Sequence, residues 1–166
     1  MNKNVISVLF LGWVFLFAGM QLQAQITYKN LPEFPAFKLM DSKGASFSTV
    51  SVLKKDKPTV LIYFSPTCHH CQTQTTDITS NIKLFKDVQF LFVTSYPPQD
   101  YQPFLNEYAL EKFPNIMFGY DSTYALVRFL ELESLPGVFI YDGKHQLKIN
   151  YDTNIRTKNL YSAIFE

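Results

Sequence analysis

Thr59 to Phe64 (Thr-Val-Leu-Ile-Tyr-Phe) is a continuous apolar, β-prone run, and Val88 to Val93 is another. Runs with no polar alternation are strands covered on both faces. Between them, residues 69 to 86 contain no Gly or Pro and place Ile78, Ile82 and Phe85 at helical spacing. Strand, helix, strand over this length predicts two parallel strands joined by a crossover helix. That unit commits the chain to an α/β architecture.

The flanking segments extend the pattern. Phe37 to Met40 and Ala45 to Phe47 alternate around Asp41-Ser42-Lys43-Gly44, the signature of a hairpin. Asp100 is placed to cap a helix carrying Phe104, Leu105 and Tyr108, with Tyr96-Pro97-Pro98 before it as a loop. Asn115 to Phe118 reads as a short strand, and Asp121 as the cap of a helix carrying Ala125, Leu126 and Phe129. Val138 to Tyr141 and Gln146 to Tyr151 pair antiparallel around Asp142-Gly143, and Lys158 to Phe165, with Leu160 and Ile164, closes as a helix. The sum is a three-layer α/β/α sandwich with a mixed central sheet and an amino-terminal β-hairpin extension.

Residues 5 to 20 are uncharged and mostly apolar, Lys3 precedes them, and Gln21-Leu22-Gln23-Ala24 follows with a small residue at its end. This is the pattern of a secretory signal peptide over residues 1–24, cleaved after Ala24, with the working domain over 25–166. The run is shorter than the roughly 20 residues that span a bilayer, so no stable membrane span is expected once it is removed. The compartment is then outside the cytoplasm, the periplasm, with the protein membrane-anchored if the segment is retained. With 15 basic against 14 acidic side chains the net charge is +1, which offers no footprint for nucleic acid. Two cysteines are too few for a disulfide scaffold, so the fold is held by its core.

Both cysteines stand together as Cys68-His69-His70-Cys71, directly after a buried strand and at the start of a helix. There the first sulfur meets unsatisfied backbone N–H groups and the positive end of the helix dipole, which favours thiolate over thiol. The second sulfur lies one turn in and less exposed. A thiolate attacks a partner's disulfide, and a thiol three residues away resolves the mixed disulfide. Two other readings apply to the same residues. A structural disulfide would close so short a loop that it removes little chain entropy. A metal site built from two Cys and two His has adjacent side chains pointing to different sides, which does not close a tetrahedral shell.

At these residues the chain resembles the thioredoxin superfamily, and within it the exported TlpA/ResA-type thiol-disulfide oxidoreductases. The resemblance lies in Pro35 to Asp41 with Lys43-Gly44, in Lys57 to Cys68 leading into the CxxC, and in Leu135-Pro136-Gly137 with Val138 to Asp142. It implies a thioredoxin-like fold and a cis peptide bond at Pro136, lying against the cysteines. It further implies a Leu135 backbone that hydrogen-bonds an extended substrate. His70 stands just before the second Cys, where oxidising members such as DsbA and protein disulfide isomerase also have His.

Departures from the family pattern are equally specific. Thr67 stands where Trp is usual before the first Cys, and Gly137 where Thr follows the cis-proline. Ile62 occupies the position of the buried Asp of cytosolic thioredoxins, and Gln74 that of the Glu of ResA-type proteins. Neither proton-shuttling carboxylate is present; Asp77, two turns into the helix, is a weak substitute. A peroxiredoxin-like peroxidase is disfavoured, since Leu61 occupies the place of that motif's Pro although Ser65 stands three before Cys68.

The reading that follows is an exported thiol-disulfide oxidoreductase. Cys68 is the nucleophile, Cys71 the resolving thiol and His70 the residue tuning the thiolate. Pro136 with Leu135, Thr67 and His69 shapes the substrate surface. No organic cofactor is required and no metal is assigned; the partners are protein thiols or disulfides, with the upstream redox partner unassigned. The rival reading is a thioredoxin-fold metal-handling or binding module in which Cys68, Cys71 and a histidine act without redox turnover. His145, beside the Asp142-Gly143 turn, is read as a surface residue.

Overall fold

A computed structural model of the chain describes residues 33–166. The signal peptide expected over 1–24, with cleavage after Ala24, lies outside the described residues. Seven strands form one mixed sheet in the order β2-β1-β5-β4-β3-β6-β7. They are β1 (Lys38–Met40), β2 (Ser46–Ser48), β3 (Thr59–Tyr63), β4 (Gln89–Thr94), β5 (Ile116–Tyr120), β6 (Gly137–Tyr141) and β7 (Leu147–Tyr151). Five α-helices accompany them among the described residues: α1 (Thr49–Val52), α2 (His69–Ser80), α3 (Pro98–Glu107), α4 (Ala125–Phe129) and α5 (Thr157–Phe165).

β3, β4 and β5 are parallel neighbours, and β6 runs antiparallel on the far side of β3. The crossovers through α2 and α3 both step the same way along the sheet, so a common handedness puts both helices on one face. The side chains agree. Val60, Ile62 and Phe64 of the β3 segment pack with Phe90, Phe92, Val138 and Ile140. Cys71 and Ile78 of α2, Tyr101 and Phe104 of α3, and Leu160 and Ile164 of α5 close that core. The alternate residues Leu61, Tyr63, Leu91, Phe139 and Tyr141 are equally buried, and there the Phe34 ring packs at a tilt against Tyr141 with ring centroids 4.6 Å apart. Tyr63 reaches Asp121, which holds the start of α4, so α4 covers this second face. Each fully buried Val, Leu, Ile or Phe contributes about 1.5–3 kcal/mol, so the central strands carry most of the stability.

The three-layer sandwich with its amino-terminal hairpin is therefore present, and several boundaries differ from the sequence reading. The helix expected over 69–86 stops at Ser80. Asn81 leaves helical geometry at φ −116° and ψ 18°, and Ile82–Phe85 continues as a single 3-10 turn. The cause lies in the sequence of α2: Thr75, Thr76 and Thr79 turn their hydroxyls back onto the carbonyls of Cys71, Gln72 and Thr75, a habit that weakens helices. Asp100 does not cap α3. The helix starts at Pro98, whose missing N–H costs nothing at the first position, and Asp100 falls in the first turn. Tyr96-Pro97-Pro98 is thus a loop only through Pro97. Phe129 is not core either: Leu126 and Leu130 are buried, while Phe129 is 42% exposed and meets Phe37 edge-on. In the β6–β7 hairpin the left-handed position is filled by His145, at φ 62°, rather than by Gly143. His145 is half-buried, 6.2 Å from the Phe34 ring between centroids.

Candidate functional site

The carboxyl end of β3 runs into a tight turn, Ser65-Pro66-Thr67-Cys68, closed by the Cys68 N–H donating to the Ser65 carbonyl at 3.2 Å. Pro66 presets the dihedral that the second position of such a turn requires. The Gln72 side-chain amide donates to the Pro66 carbonyl at 3.1 Å and ties the turn to the helix it precedes. Cys68 itself is the N-cap of α2, in extended geometry at φ −81° and ψ 119°. No side chain caps this helix and no acidic residue lies in its first turn. A Cys68 thiolate is therefore the anion nearest the positive end of the α2 dipole.

Cys68 is half-exposed and Cys71 buried, 1% exposed, and both are free thiols in this structure. Burial pushes the Cys71 thiol well above its ordinary range, and contact with Cys68 adds to the effect. Ile62 shares the core cluster with Cys71, so an apolar group occupies the place where a carboxylate would take the proton. Gln74 is fully buried one turn beyond Cys71; its Oε1 accepts the Ile155 N–H at 2.6 Å, and its Nε2 has no hydrogen-bond partner. The position is thus a neutral brace between α2 and the segment preceding α5. Asp77 makes no side-chain hydrogen bond or ion pair among the described residues.

Residues distant in sequence complete the site. The Leu135-Pro136 peptide is cis, as the resemblance implies. The Cys68 thiol points at the Leu135 carbonyl, Sγ to O 3.6 Å. Leu135 is half-buried, Pro136 and Gly137 buried. A Cβ on Gly137 would come within 2.4 Å of Leu132 Cδ2, so Leu132 occupies the space that a side chain at this position would need. Thr67, His69 and His70 are exposed around Cys68. The Thr67 hydroxyl lies 3.1 Å from that of Ser65. The two histidine rings stand 6.2 Å apart, and His70 makes no hydrogen bond to either sulfur. Among the described residues no group of three His, Cys, Asp or Glu side chains is arranged to hold a metal ion.

Sequence reasoning missed one cluster here. Asp121, 1% exposed, accepts the Ala125 and Leu126 N–H groups at 2.9 Å each and the Val127 N–H at 3.2 Å. It caps α4 as its sequence position suggests. It also accepts the Tyr63 hydroxyl at 3.2 Å, from the strand that leads to Cys68. A Tyr inside an otherwise apolar buried strand was the available signal, because a buried hydroxyl requires a partner.

A seven-stranded mixed sheet, a CxxC pair at a helix start and a cis-proline facing the first sulfur define a thioredoxin-fold protein. The chain belongs to the AhpC/TSA family, which it matches over residues 32–159. The fold is shared with a secreted disulfide oxidoreductase of Mycobacterium tuberculosis described as homologous to Escherichia coli DsbE. That likeness has TM-score 0.65 and 18% identity, covering 76% of this chain and 92% of the other. Peroxidoxin BcpB of the same organism is similar at TM-score 0.64 and 14% identity, over 79% and 92% of the two chains. The thioredoxin domain of thiol-disulfide oxidoreductase BVU-2223 of Bacteroides vulgatus gives TM-score 0.60 and 18% identity, over 80% and 92%. No curated protein matches the sequence.

Proposed function

We propose that the protein is an exported thiol-disulfide oxidoreductase acting on partner proteins through Cys68 and Cys71. One observation carries the reading: a half-exposed sulfur at an uncapped helix start, facing the cis-proline loop, with a second thiol buried directly behind it. The Cys68 thiolate attacks one sulfur of a partner disulfide; that S–S bond breaks and one partner thiolate leaves, taking a proton from solvent. Cys71 then loses its proton and attacks Cys68 Sγ. The mixed disulfide breaks, the second partner thiol leaves, and the protein holds a Cys68–Cys71 disulfide. Two electrons have passed to the partner. The reverse sequence oxidises a dithiol partner.

Burial makes ionisation of Cys71 the demanding step, because no carboxylate stands beside it and Gln74 offers only an amide. Leu135, Thr67 and His69 present the surface that a partner meets. His70, exposed and directly before Cys71, is the residue assigned to tuning the Cys68 thiolate. His70→Ala is expected to lower the reduction potential by tens of millivolts, where about 30 mV corresponds to about 1.4 kcal/mol. An unchanged potential by glutathione equilibration removes His70 from the site.

The test of the reading is catalysed reduction of a disulfide-bonded protein by a small dithiol, with and without a chelator. Wild type accelerates it, the chelator has no effect, and Cys68→Ser abolishes it. Chelator-sensitive metal retention without any acceleration would favour the metal-handling alternative.

A further inference from the structure

The strand register brings four loop positions into one row at the carboxyl edge of the parallel strands. Tyr63 pairs with Val93 and with Gly137, and Thr94 pairs with Tyr120. The segments that follow β3, β4 and β5 and the one that precedes β6, with Ser65, Ser95, Asp121 and Leu135, therefore share this edge of the sheet. Cys68 meets this row at the Leu135 carbonyl. Two large aromatic side chains on these loops are exposed, Tyr96 after β4 and Tyr124 after β5, at 37% and 50%.

Both tyrosines stand on braced loops. The Asp121 N–H donates to the Thr94 carbonyl at 2.8 Å and the Tyr124 N–H to the Asp121 carbonyl at 3.1 Å, while the Thr94 hydroxyl accepts the Tyr96 N–H at 3.3 Å. The buried Tyr63 hydroxyl joins them from below: it donates to Asp121, and Ser95 lies against it. Tyr124 is held at φ 58° and ψ 22°, in the left-handed region that a bulky aromatic residue seldom occupies. Strained backbone presenting an exposed ring is the kind of outlier that accompanies a binding role.

We propose that Tyr96 and Tyr124 form the partner-docking surface beside Cys68, and that the partner is an extended polypeptide carrying apolar side chains close to its reactive cysteine. The inference rests on the oxidoreductase reading, because only a sulfur-bearing chain brought to Cys68 is carried across this row. From the Leu135 position to that of Asp121 there are three strand spacings of about 4.8 Å, roughly 14 Å, which about four residues of extended chain cover. Apolar residues within that distance of the cysteine reach the two rings. Rigid aromatic side chains supply such contacts at low entropic cost.

The test uses two synthetic disulfide peptides that differ only in carrying Phe or Ser at the second and fourth positions from the cysteine. The aromatic disulfide DTNB serves as a substrate lacking any peptide. The wild-type chain is expected to favour the Phe peptide about tenfold in kcat/KM. In the Tyr96→Ser/Tyr124→Asn double variant the preference falls below about twofold; Asn suits the left-handed position, so the fold is kept. The Tyr96→Phe/Tyr124→Phe variant retains the preference. Equal use of both peptides by wild type, or a preference that survives in the Ser/Asn variant, overturns the docking surface while DTNB turnover leaves the oxidoreductase reading in place. A wild-type chain that reduces neither peptide nor DTNB overturns both.

Discussion

The Cys68 sulfur lies 3.6 Å from the Leu135 carbonyl oxygen, across 67 residues of sequence, while Cys71 behind it is 1% exposed. One thiol therefore faces the cis-proline loop with partial exposure, and the other is enclosed. Brief iodoacetamide treatment of the reduced protein at pH 7.5, followed by peptide mapping, is expected to label Cys68 at least about tenfold faster than Cys71. Dominant labelling of Cys71 would reverse the assigned roles.

Burial of Cys71 also makes stability depend on pH. An unfolded thiol ionises near pH 8.5, about its ordinary value, and the folded environment pushes the Cys71 thiol upward. The folded chain then keeps a proton that the unfolded chain releases. The contribution is complete below about pH 8.5 and is lost as pH rises towards the folded value. Urea titrations of the reduced protein should show stability falling between about pH 8.5 and 9.5, by no more than about 1.4 kcal/mol per pH unit. Cys71→Ser should flatten that window. The buried phenols of Tyr63 and Tyr141, also pushed up by burial, act with the same sign only above about pH 10. Equal slopes for the two proteins would show that Cys71 ionises freely.

Asp121 serves two elements at once, as cap of α4 and as acceptor for Tyr63. Asp121→Ala leaves three backbone N–H groups and a buried hydroxyl without their acceptor, and is expected to cost about 2–4 kcal/mol in urea unfolding. Tyr63→Phe removes one hydrogen bond and leaves the capping intact, costing about 1 kcal/mol. A double variant should fall short of the sum, since the two share a partner. Full additivity would mean that the Tyr63–Asp121 contact carries no energy.

The strand-helix-strand unit was legible because Thr59–Tyr63 and Gln89–Thr94 are buried at every position and show it as the apolar runs Val60 to Tyr63 and Phe90 to Val93. Cys68 at the head of α2 was legible for the same local reason. The end of α2 at Ser80 was not, because Ile82 and Phe85 keep helical spacing while the threonine hydroxyls and Asn81 end the helix. Nor was the start of α3, where two consecutive prolines read as a breaker although the second begins the helix. The sulfur's contact with Leu135, the Gln74 brace to Ile155 and the Tyr63–Asp121 bond join residues 58 to 81 positions apart. No periodicity encodes such pairs. The resemblance pointed to Leu135 and Pro136, but Asp121 appeared in sequence only as a helix cap.

The central claim is that Cys68 forms a mixed disulfide which Cys71 resolves. Cys71→Ser protein incubated with a disulfide-linked peptide and analysed by intact-mass and tandem mass spectrometry tests it most directly. The account predicts a persistent adduct of one peptide half on Cys68, absent from Cys68→Ser, whereas the wild-type chain releases both halves and ends two hydrogen atoms lighter. No adduct on Cys68 under conditions that oxidise the wild-type pair would contradict it.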